Sequence, residues 1–267
     1  MVLKRLLLAC LCLAPAVQAA ACELRVAVAA SFRPALEVLL PDFESSARCS
    51  VRIASGSSGA LYQQALHGAP FDLFLSADRA RPELLEQQGR VLAESRQTYA
   101  LGLLALWMPD ASRKPEELLR EWNERIVVAD PRVAPFGVAA RQALEGLGLW
   151  EGKQQQIARA HNAGQAYLML DTGNAQVGFV AASQIVSGGR ASYWLVPQSL
   201  YQPIEQQLVI LRQSQRPREA KALANYLLSR AVGRQLARLG YGAQPQQPEQ
   251  PEQPEQPEQP QRPAEGM

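Results

Sequence analysis

Short apolar runs alternate with amphipathic helical patterns along most of the chain. The first apolar run covers residues 24–30, and apolar residues then recur at helical spacing over 32–45. Runs at 51–54 and 72–76 are each followed by a further helical pattern. Because this alternation is typical of α/β proteins, we predict βα units built on largely parallel sheets.

Two longer apolar runs, at 99–108 and 204–211, divide the body of the chain. Between them the pattern predicts helices near 115–122, 136–147 and 163–172 and strands at 125–128 and 177–181, and after the later run it predicts helices at 216–228 and 231–239. A body of about 220 residues suits two lobes better than one. We therefore expect lobe I to comprise residues 20–100 plus 206–243 and lobe II residues 101–205, joined by two hinge strands with a ligand cleft between them.

The two ends of the chain do not share this pattern. Residues 1–19 have a basic start, a short apolar run and small residues near position 19, which predicts a cleaved secretory signal peptide. The apolar run is too short to cross a bilayer. A lipoprotein anchor at Cys22 is the alternative, but no leucine stands in the three residues before it. Residues 244–267 repeat Pro-Glu-Gln, and we expect them to form a disordered tail.

The composition narrows the classes of function. The 267 residues include 27 Lys and Arg and 25 Asp and Glu, giving a formal charge of +2, which offers no reason to expect a nucleic-acid partner. Leaving out both ends makes the body only mildly cationic. With 2 His and 4 Cys there is little material for a transition-metal centre, and we expect no cofactor.

The cysteines outside the predicted signal peptide are Cys22 and Cys49. Two cysteines in an exported protein indicate one disulfide. Each precedes an apolar run, so the two would lie close together if those runs form neighbouring parallel strands. Two free buried thiols are the alternative.

Motifs for catalysis are absent from the sequence. It has no Gly-x-Ser-x-Gly, no His-Glu-x-x-His, no phosphate-binding Gly-x-x-x-x-Gly-Lys and no dinucleotide fingerprint. His67 is placed to cap or pack at a helix end, whereas His161 stands at a strand-to-helix turn that would face a cleft. We therefore expect no enzyme activity. If the protein is an enzyme, the alternative is an exported hydrolase that uses a serine with His161.

Serines follow two successive strands of the predicted sheet. Ser31 comes directly after the first strand, and Ser57 and Ser58 follow the second beside glycines. Since carboxyl ends of parallel strands and helix N-termini meet at one edge, these residues predict an anion site made of neutral donors. The alternative is that each serine is an ordinary N-cap. A phosphate loop would need a cation, and the nearest is Arg33.

Lobe II also has predicted helices whose N-termini could supply donors to the cleft. Asp130 and Pro131 follow a predicted strand, a helix opens near Phe136, and Asn162 with Ala163 opens another. Each beginning supplies free backbone N–H groups. An anion caught between the lobes would be surrounded by donors from both.

Several segments together resemble the periplasmic molybdate-binding proteins of ABC transporters over roughly residues 24–243. The most specific is GAPFDLFLSAD at residues 68–78. The others are VAVAAS at 26–31, SGSS at 55–58, Asp130-Pro131 with PFG at 135–137, and TGNA at 172–175 leading into GFVA at 178–181.

The resemblance implies a type II periplasmic-binding-protein fold that closes on tetrahedral molybdate or tungstate. It implies a periplasmic monomer that delivers this anion to an ABC transporter permease in the inner membrane. It places ligand donors at Ser31 and Ser58, through hydroxyl and backbone N–H, and at Phe136 and Ala163, through backbone N–H. Residues expected beside the ligand are Ser57, Arg33, Asn162 and Ala181.

This chain departs from the family at one donor. Some members place a tyrosine hydroxyl on the anion from the position of Ala181 and others from that of Phe136, and neither residue carries a hydroxyl here. The alternative ligand is therefore another small anion, sulfate or an organic acid.

Overall fold

The structure, a computed structural model, describes residues 22–243 and consists of two mixed β-sheets flanked by helices. The predicted signal peptide, 1–19, and the predicted tail, 244–267, lie outside the described residues. No helix within residues 22–243 is long and apolar enough to cross a membrane. The predicted α/β class and two-lobed type II fold are confirmed.

The strands, in chain order, are β1 (Cys22–Ala29), β2 (Cys49–Gly56), β3 (Leu73–Leu75), β4 (Gln97–Gly102), β5 (Leu104–Trp107), β6 (Ile126–Ala129), β7 (Ile157–Ala160), β8 (Val177–Ala181), β9 (Tyr193–Leu195) and β10 (Ile204–Ile210). The helices are α1 (Arg33–Ala47), α2 (Ser58–Leu66), α3 (Ala80–Gln87), α4 (Pro115–Glu121), α5 (Pro135–Gly146), α6 (Ala163–Asp171), α7 (Ala182–Ser187), α8 (Pro217–Leu227) and α9 (Arg230–Arg238).

The first sheet has the order β2-β1-β3-β10-β4, and the second has the order β7-β6-β8-β5-β9. In each sheet three strands are parallel to one another, and the two remaining strands are antiparallel to their neighbours. Apolar side chains fill both faces of each sheet. In β1, for example, Val26 and Val28 enter one core and Ala27 enters the core on the other face.

The chain passes between the sheets twice. The apolar run 99–108 is divided at Leu103, with β4 on one side in the first sheet and β5 on the other in the second. An uninterrupted apolar run has no periodicity that could mark this break. On the return, β10 begins with Ile204 in the second lobe's core and continues to Leu208 in the first lobe's core. Both long runs therefore lie where the lobes join.

Cys22 and Cys49 are the first residues of β1 and β2 and stand opposite each other in the parallel register. They form a disulfide with their Cα atoms 4.5 Å apart, so the predicted pairing is confirmed and the alternative of free thiols is wrong. The bridge lies at the amino ends of the strands. An eight-residue strand spans roughly 26 Å, which places the bridge far from Ser31 at the carboxyl end.

Candidate functional site

A small cavity lies between the lobes, at the carboxyl ends of β1 and β2. Its volume of about 10 Å³ is far below the roughly 300–1,000 Å³ of pockets for drug-sized ligands, so the cavity suits a much smaller molecule. Lobe I lines it with Ala29, Ala30, Ser31, Gly56, Ser57, Ser58 and Ala77, and lobe II lines it with Ala134, Pro135, Phe136, Asn162 and Ala163.

Ser58 is the first residue of α2 and is almost completely buried. Its hydroxyl oxygen accepts a hydrogen bond from the backbone N–H of Ala77 at 2.9 Å. A serine hydroxyl has one proton to donate in addition to its acceptor lone pairs. The N–H of Ala77 donates to a lone pair of the Ser58 oxygen and does not use the hydroxyl proton. Ser58 can therefore donate that proton to a group in the cavity.

Ser57 is the N-cap of α2, and its hydroxyl oxygen accepts from the backbone N–H of Ala60 at 3.3 Å. The ordinary N-cap role expected as an alternative thus applies to Ser57 and not to Ser58. Capping fixes where the helix begins, and with it the direction in which the N–H of Ser58 points. Ser57 also lines the cavity.

Ser31 occupies the turn between β1 and α1 and is buried. Its carbonyl oxygen accepts from the hydroxyl of Tyr241 at 3.3 Å. Burial raises the pKa of Tyr241 far above its usual value, so this phenol stays protonated as the donor. Within residues 22–243 no side-chain hydrogen bond engages the Ser31 hydroxyl, which therefore stays available to a ligand.

Lobe II contributes the beginnings of two helices. Pro135 is the first residue of α5 and has no N–H, so the N–H of Phe136 is the first that the helix offers. Ala163 opens α6 after the N-cap Asn162, whose side-chain oxygen accepts from the N–H of Gln165 at 2.9 Å. N–H groups in a first helical turn have no intrahelical acceptor and carry partial positive charge.

Gly137 allows α5 to begin this close to the sheet. A Cβ atom added there would lie 2.1 Å from the carbonyl oxygen of Ala129, at the end of β6. No side chain fits that space. The contact holds the first turn of α5, and with it the N–H of Phe136, against the carboxyl end of the strand.

Gln184 is a residue of the site that the sequence did not reveal. Its buried amide accepts from the N–H of Ala181 at 3.2 Å and donates to the carbonyl oxygen of Ala163 at 3.3 Å. It thus ties the end of β8 to the first peptide of α6. A glutamine within the apolar segment 177–186 was the available signal.

Asp130 directly follows β6 and is largely buried. Its carboxylate accepts from the N–H of Arg132 at 3.0 Å and from the guanidinium of Arg132 at 2.6 Å. The hydrogen bonds from Arg132 lower the pKa of Asp130, so this carboxylate stays ionised and paired. The turn that results carries the chain to Val133 and the start of α5.

Three residues considered from the sequence do not line the cavity. Arg33 is half exposed and its guanidinium pairs with Glu37 at 2.8 Å on the surface of α1. Ala181 is buried at the end of β8, and His161 is exposed. No titratable side chain is among the described residues that line the cavity. Its chemistry is that of hydroxyl and backbone donors.

A more open depression lies beside the returning connection between the lobes, around Gln142 and residues 198–203. Two hydrogen bonds lie within it: Gln142 accepts from the N–H of Gln202, and Gln198 donates to the carbonyl of Tyr201. None of its lining residues begins an α-helix, so the depression lacks the helix N-terminal donors of the interlobe cavity.

Comparison with known proteins agrees with this geometry. Residues 24–242 match the model of the family described as bacterial extracellular solute-binding protein. The chain belongs to this family. The family is one of solute-binding proteins and not of enzymes.

Relatives within the family carry a more specific name. The molybdate-binding protein ModA of Azotobacter vinelandii is 38% identical, with 87% of this chain and 94% of the relative covered. ModA of Rhodobacter capsulatus is 37% identical, with 85% and 90% covered. The solved structure of the Azotobacter vinelandii periplasmic molybdate-binding protein superposes with a TM-score of 0.80 at 35% identity, covering 84% of this chain and all of that one. The resemblance stated from the sequence is confirmed.

Proposed function

We propose that this protein captures a tetrahedral oxyanion, molybdate or tungstate, between its lobes and delivers it to an ABC transporter permease in the inner membrane. The observation that carries the proposal is a small cavity into which both lobes direct hydroxyl and helix N-terminal donors, with no titratable side chain in its described lining. The relatives named for molybdate binding support the choice of anion.

Four residues supply the proposed ligand donors. Ser31 and Ser58 donate from their hydroxyls and backbone N–H groups, and Phe136 and Ala163 donate from backbone N–H groups. Ser57 and Asn162 act beside the ligand by capping α2 and α6. The proposal needs no contact from Arg33 or Ala181 and no cofactor.

A dianion such as molybdate offers acceptors only, so a cavity of N–H and O–H donors satisfies it without a basic side chain. Each charge-assisted hydrogen bond contributes roughly 1.5–3 kcal/mol. Several together are of the order that micromolar to nanomolar binding requires, about −8 to −12 kcal/mol. Helix N-termini add to this because their dipoles favour negative charge.

The proposal also states where the protein acts and in what oligomeric state. The mature protein is released into the periplasm by cleavage of a signal peptide near residue 19 and acts there as a monomer without enzyme activity. The family's description as extracellular and the Cys22–Cys49 disulfide support export, because such bridges persist in oxidising compartments.

Isothermal titration calorimetry with molybdate, tungstate, sulfate and phosphate tests the function. We expect tight binding of molybdate and tungstate and weak or no binding of the other two. Ser31→Ala removes one proposed donor and should weaken molybdate binding by about 10- to 100-fold. Absence of heat with all four anions would overturn the proposal.

A second candidate ligand is sulfate or an organic acid. The specific observation in its favour is that neither Phe136 nor Ala181 supplies the tyrosine hydroxyl expected from family resemblance. A competition titration decides between the two, since the preferred anion displaces the other at lower concentration. A serine hydrolase is disfavoured because His161 does not line the cavity that contains Ser58.

A further inference from the structure

Gly59 and Gly164 occupy equivalent places in the two lobes. Each is the second residue of a helix, and each directly follows a proposed ligand donor, Ser58 in α2 and Ala163 in α6. Neither has a positive φ. Glycine at a helical position is about 1 kcal/mol less favourable than alanine. Their backbone conformation therefore gives no reason for glycine at either place.

The reason lies across the cleft. The N–H of Gly59, in lobe I, donates to the carbonyl oxygen of Val133, in lobe II, at 2.9 Å. A Cβ atom at position 59 would lie 3.0 Å from both the Cα and the carbonyl oxygen of Val133. These are backbone atoms of the opposite lobe. A methyl group at position 59 would therefore force the lobes apart by a few tenths of an ångström.

Gly164 makes the corresponding contact from the other side. A Cβ atom there would lie 3.2 Å from the Cβ of Ala30, in lobe I, and 3.2 Å from the side-chain oxygen of Asn162. The space at position 164 is thus slightly wider than at Gly59. A methyl group at Gly164 should separate the lobes less.

The two contacts stand at the edges of the cavity. Gly59 and Gly164 each follow a lining residue of their own lobe. Val133 precedes the lining residue Ala134, and Ala30 itself lines the cavity. Packed atoms resist compression, so the contact of Gly59 with the main chain of Val133 and the approach of Gly164 to the Cβ of Ala30 set a minimum distance between the lobes. The width of the cavity depends on that minimum.

We propose that Gly59 and Gly164 are closure stops that fix the width of the closed cavity and thereby select the anion by size. This inference rests on the proposed function. Sulfate and molybdate share charge and shape, but molybdate is larger. Lobes halted at this separation bring donors from both sides onto molybdate, whereas sulfate is too small to reach both sets, and the lobes cannot close further to meet it.

The test compares Gly59→Ala and Gly164→Ala with Gly152→Ala as the matched control. Gly152 has no positive φ, and an added Cβ there would meet nothing within 4 Å. Molybdate and sulfate affinities are measured by calorimetry, and the melting temperature is measured without ligand. The ligand-free measurement reports on folding of the separate lobes, and the affinities report on closure.

We expect Gly59→Ala to weaken molybdate binding about tenfold and to lower the ratio of molybdate to sulfate affinity, because lobes held further apart no longer bring the donors of both lobes onto molybdate at once. Gly164→Ala should act in the same direction and less strongly, and Gly152→Ala should leave both affinities unchanged. The melting temperature of ligand-free Gly59→Ala should be equal to or above that of wild type, since alanine favours a helix and the atoms nearest to the added Cβ belong to the other lobe.

Four results would overturn the inference. They are unchanged affinities in Gly59→Ala, an equal loss for both anions in that variant, an equal effect of Gly152→Ala, and a lowered ligand-free melting temperature of Gly59→Ala, which would show that Gly59 serves the packing of its own lobe. If wild type binds neither anion, the proposed function fails as well. Normal wild-type binding with unaltered variants refutes the closure stops alone.

Discussion

The hydroxyl of Ser58 accepts a hydrogen bond from the N–H of Ala77 at 2.9 Å, in the buried end of the first lobe. This bond gives Ser58 two roles. It satisfies a buried backbone donor between β3 and α3, and it orients the hydroxyl so that its proton is left for the cavity. The neighbouring hydroxyl of Ser57 instead caps α2.

The two serines should respond differently to substitution. Ser58→Ala removes a ligand donor and leaves the N–H of Ala77 buried without a partner, so we expect molybdate affinity to fall 10- to 100-fold and the free energy of unfolding to fall by about 1–3 kcal/mol. Ser57→Ala should cost about 1 kcal/mol of unfolding free energy through the lost cap, with a smaller change in affinity. Calorimetry and urea unfolding measure both. A larger affinity loss in Ser57→Ala would contradict the assignment.

Gln184 should influence the anion without touching it. Replacing it by leucine removes the hydrogen bonds to the N–H of Ala181 and the carbonyl of Ala163 and frees the first peptide of α6 to rotate. We expect anion binding to be several-fold weaker, because the anion should dissociate faster. Stopped-flow measurements give this dissociation rate. Gln154→Leu, in the same lobe and away from the cavity lining, is the control. Equal release rates in the two variants would show that Gln184 has no positioning role.

Asp130 should make stability depend on acid pH. Its pKa is lowered in the folded protein by hydrogen bonds from Arg132, so the folded state favours the ionised form. The stabilisation is therefore present above the ordinary pKa of 3.8 and is lost as the pH falls below it toward the lowered folded value. We expect Asp130→Asn to be less stable than wild type at neutral pH and the difference to shrink below pH 3.8.

Urea unfolding at a series of pH values checks this expectation. Asp110→Asn is the control, because the pKa of Asp110 is also lowered, by hydrogen bonds from Ser112, but that carboxyl is fully exposed. A constant difference between Asp130→Asn and wild type down to pH 3 would show that ionisation of Asp130 does not contribute.

The disulfide should affect stability and leave the site intact. It joins residues 27 apart in the chain, and in the chain-entropy model closing such a loop contributes roughly 3–4 kcal/mol. Reduction, or replacement of both Cys22 and Cys49 by alanine, should lower the free energy of unfolding by about that amount. Molybdate affinity should not change, because the bridge lies at the other end of β1 from Ser31. A tenfold loss of affinity on reduction would contradict this separation.

Much of the fold was predictable because its signals are local. The predicted strand at 177–181 has the observed bounds of β8, and the ends of the predicted helices at 136–147, 163–172, 216–228 and 231–239 differ from those of α5, α6, α8 and α9 by at most one residue. The prediction missed α7 and β9. These elements have six and three residues, and segments that short show too little periodicity to be recognised.

The positions of the candidate donors were also predictable, for a topological reason. Ser31 and Ser58 each follow the carboxyl end of a strand, and β1 and β2 are neighbours in parallel register. Parallel strands bring such ends to one edge of a sheet. That rule, together with the fact that each serine follows a strand in the sequence, was enough to place both serines in one cavity.

The sequence by itself determined the alternation of strands and helices and the pairing of the two cysteines, because each depends on neighbours along the chain or on strand order. Only the tertiary structure decided which side chains face the anion cavity. Ala77 reaches Ser58 from 19 residues away, Gln184 reaches Ala163 across 21, and Val133 meets Gly59 from the other lobe. Hydrogen bonds and close contacts of this kind form between segments that only folding brings together, and no local pattern of residues records them.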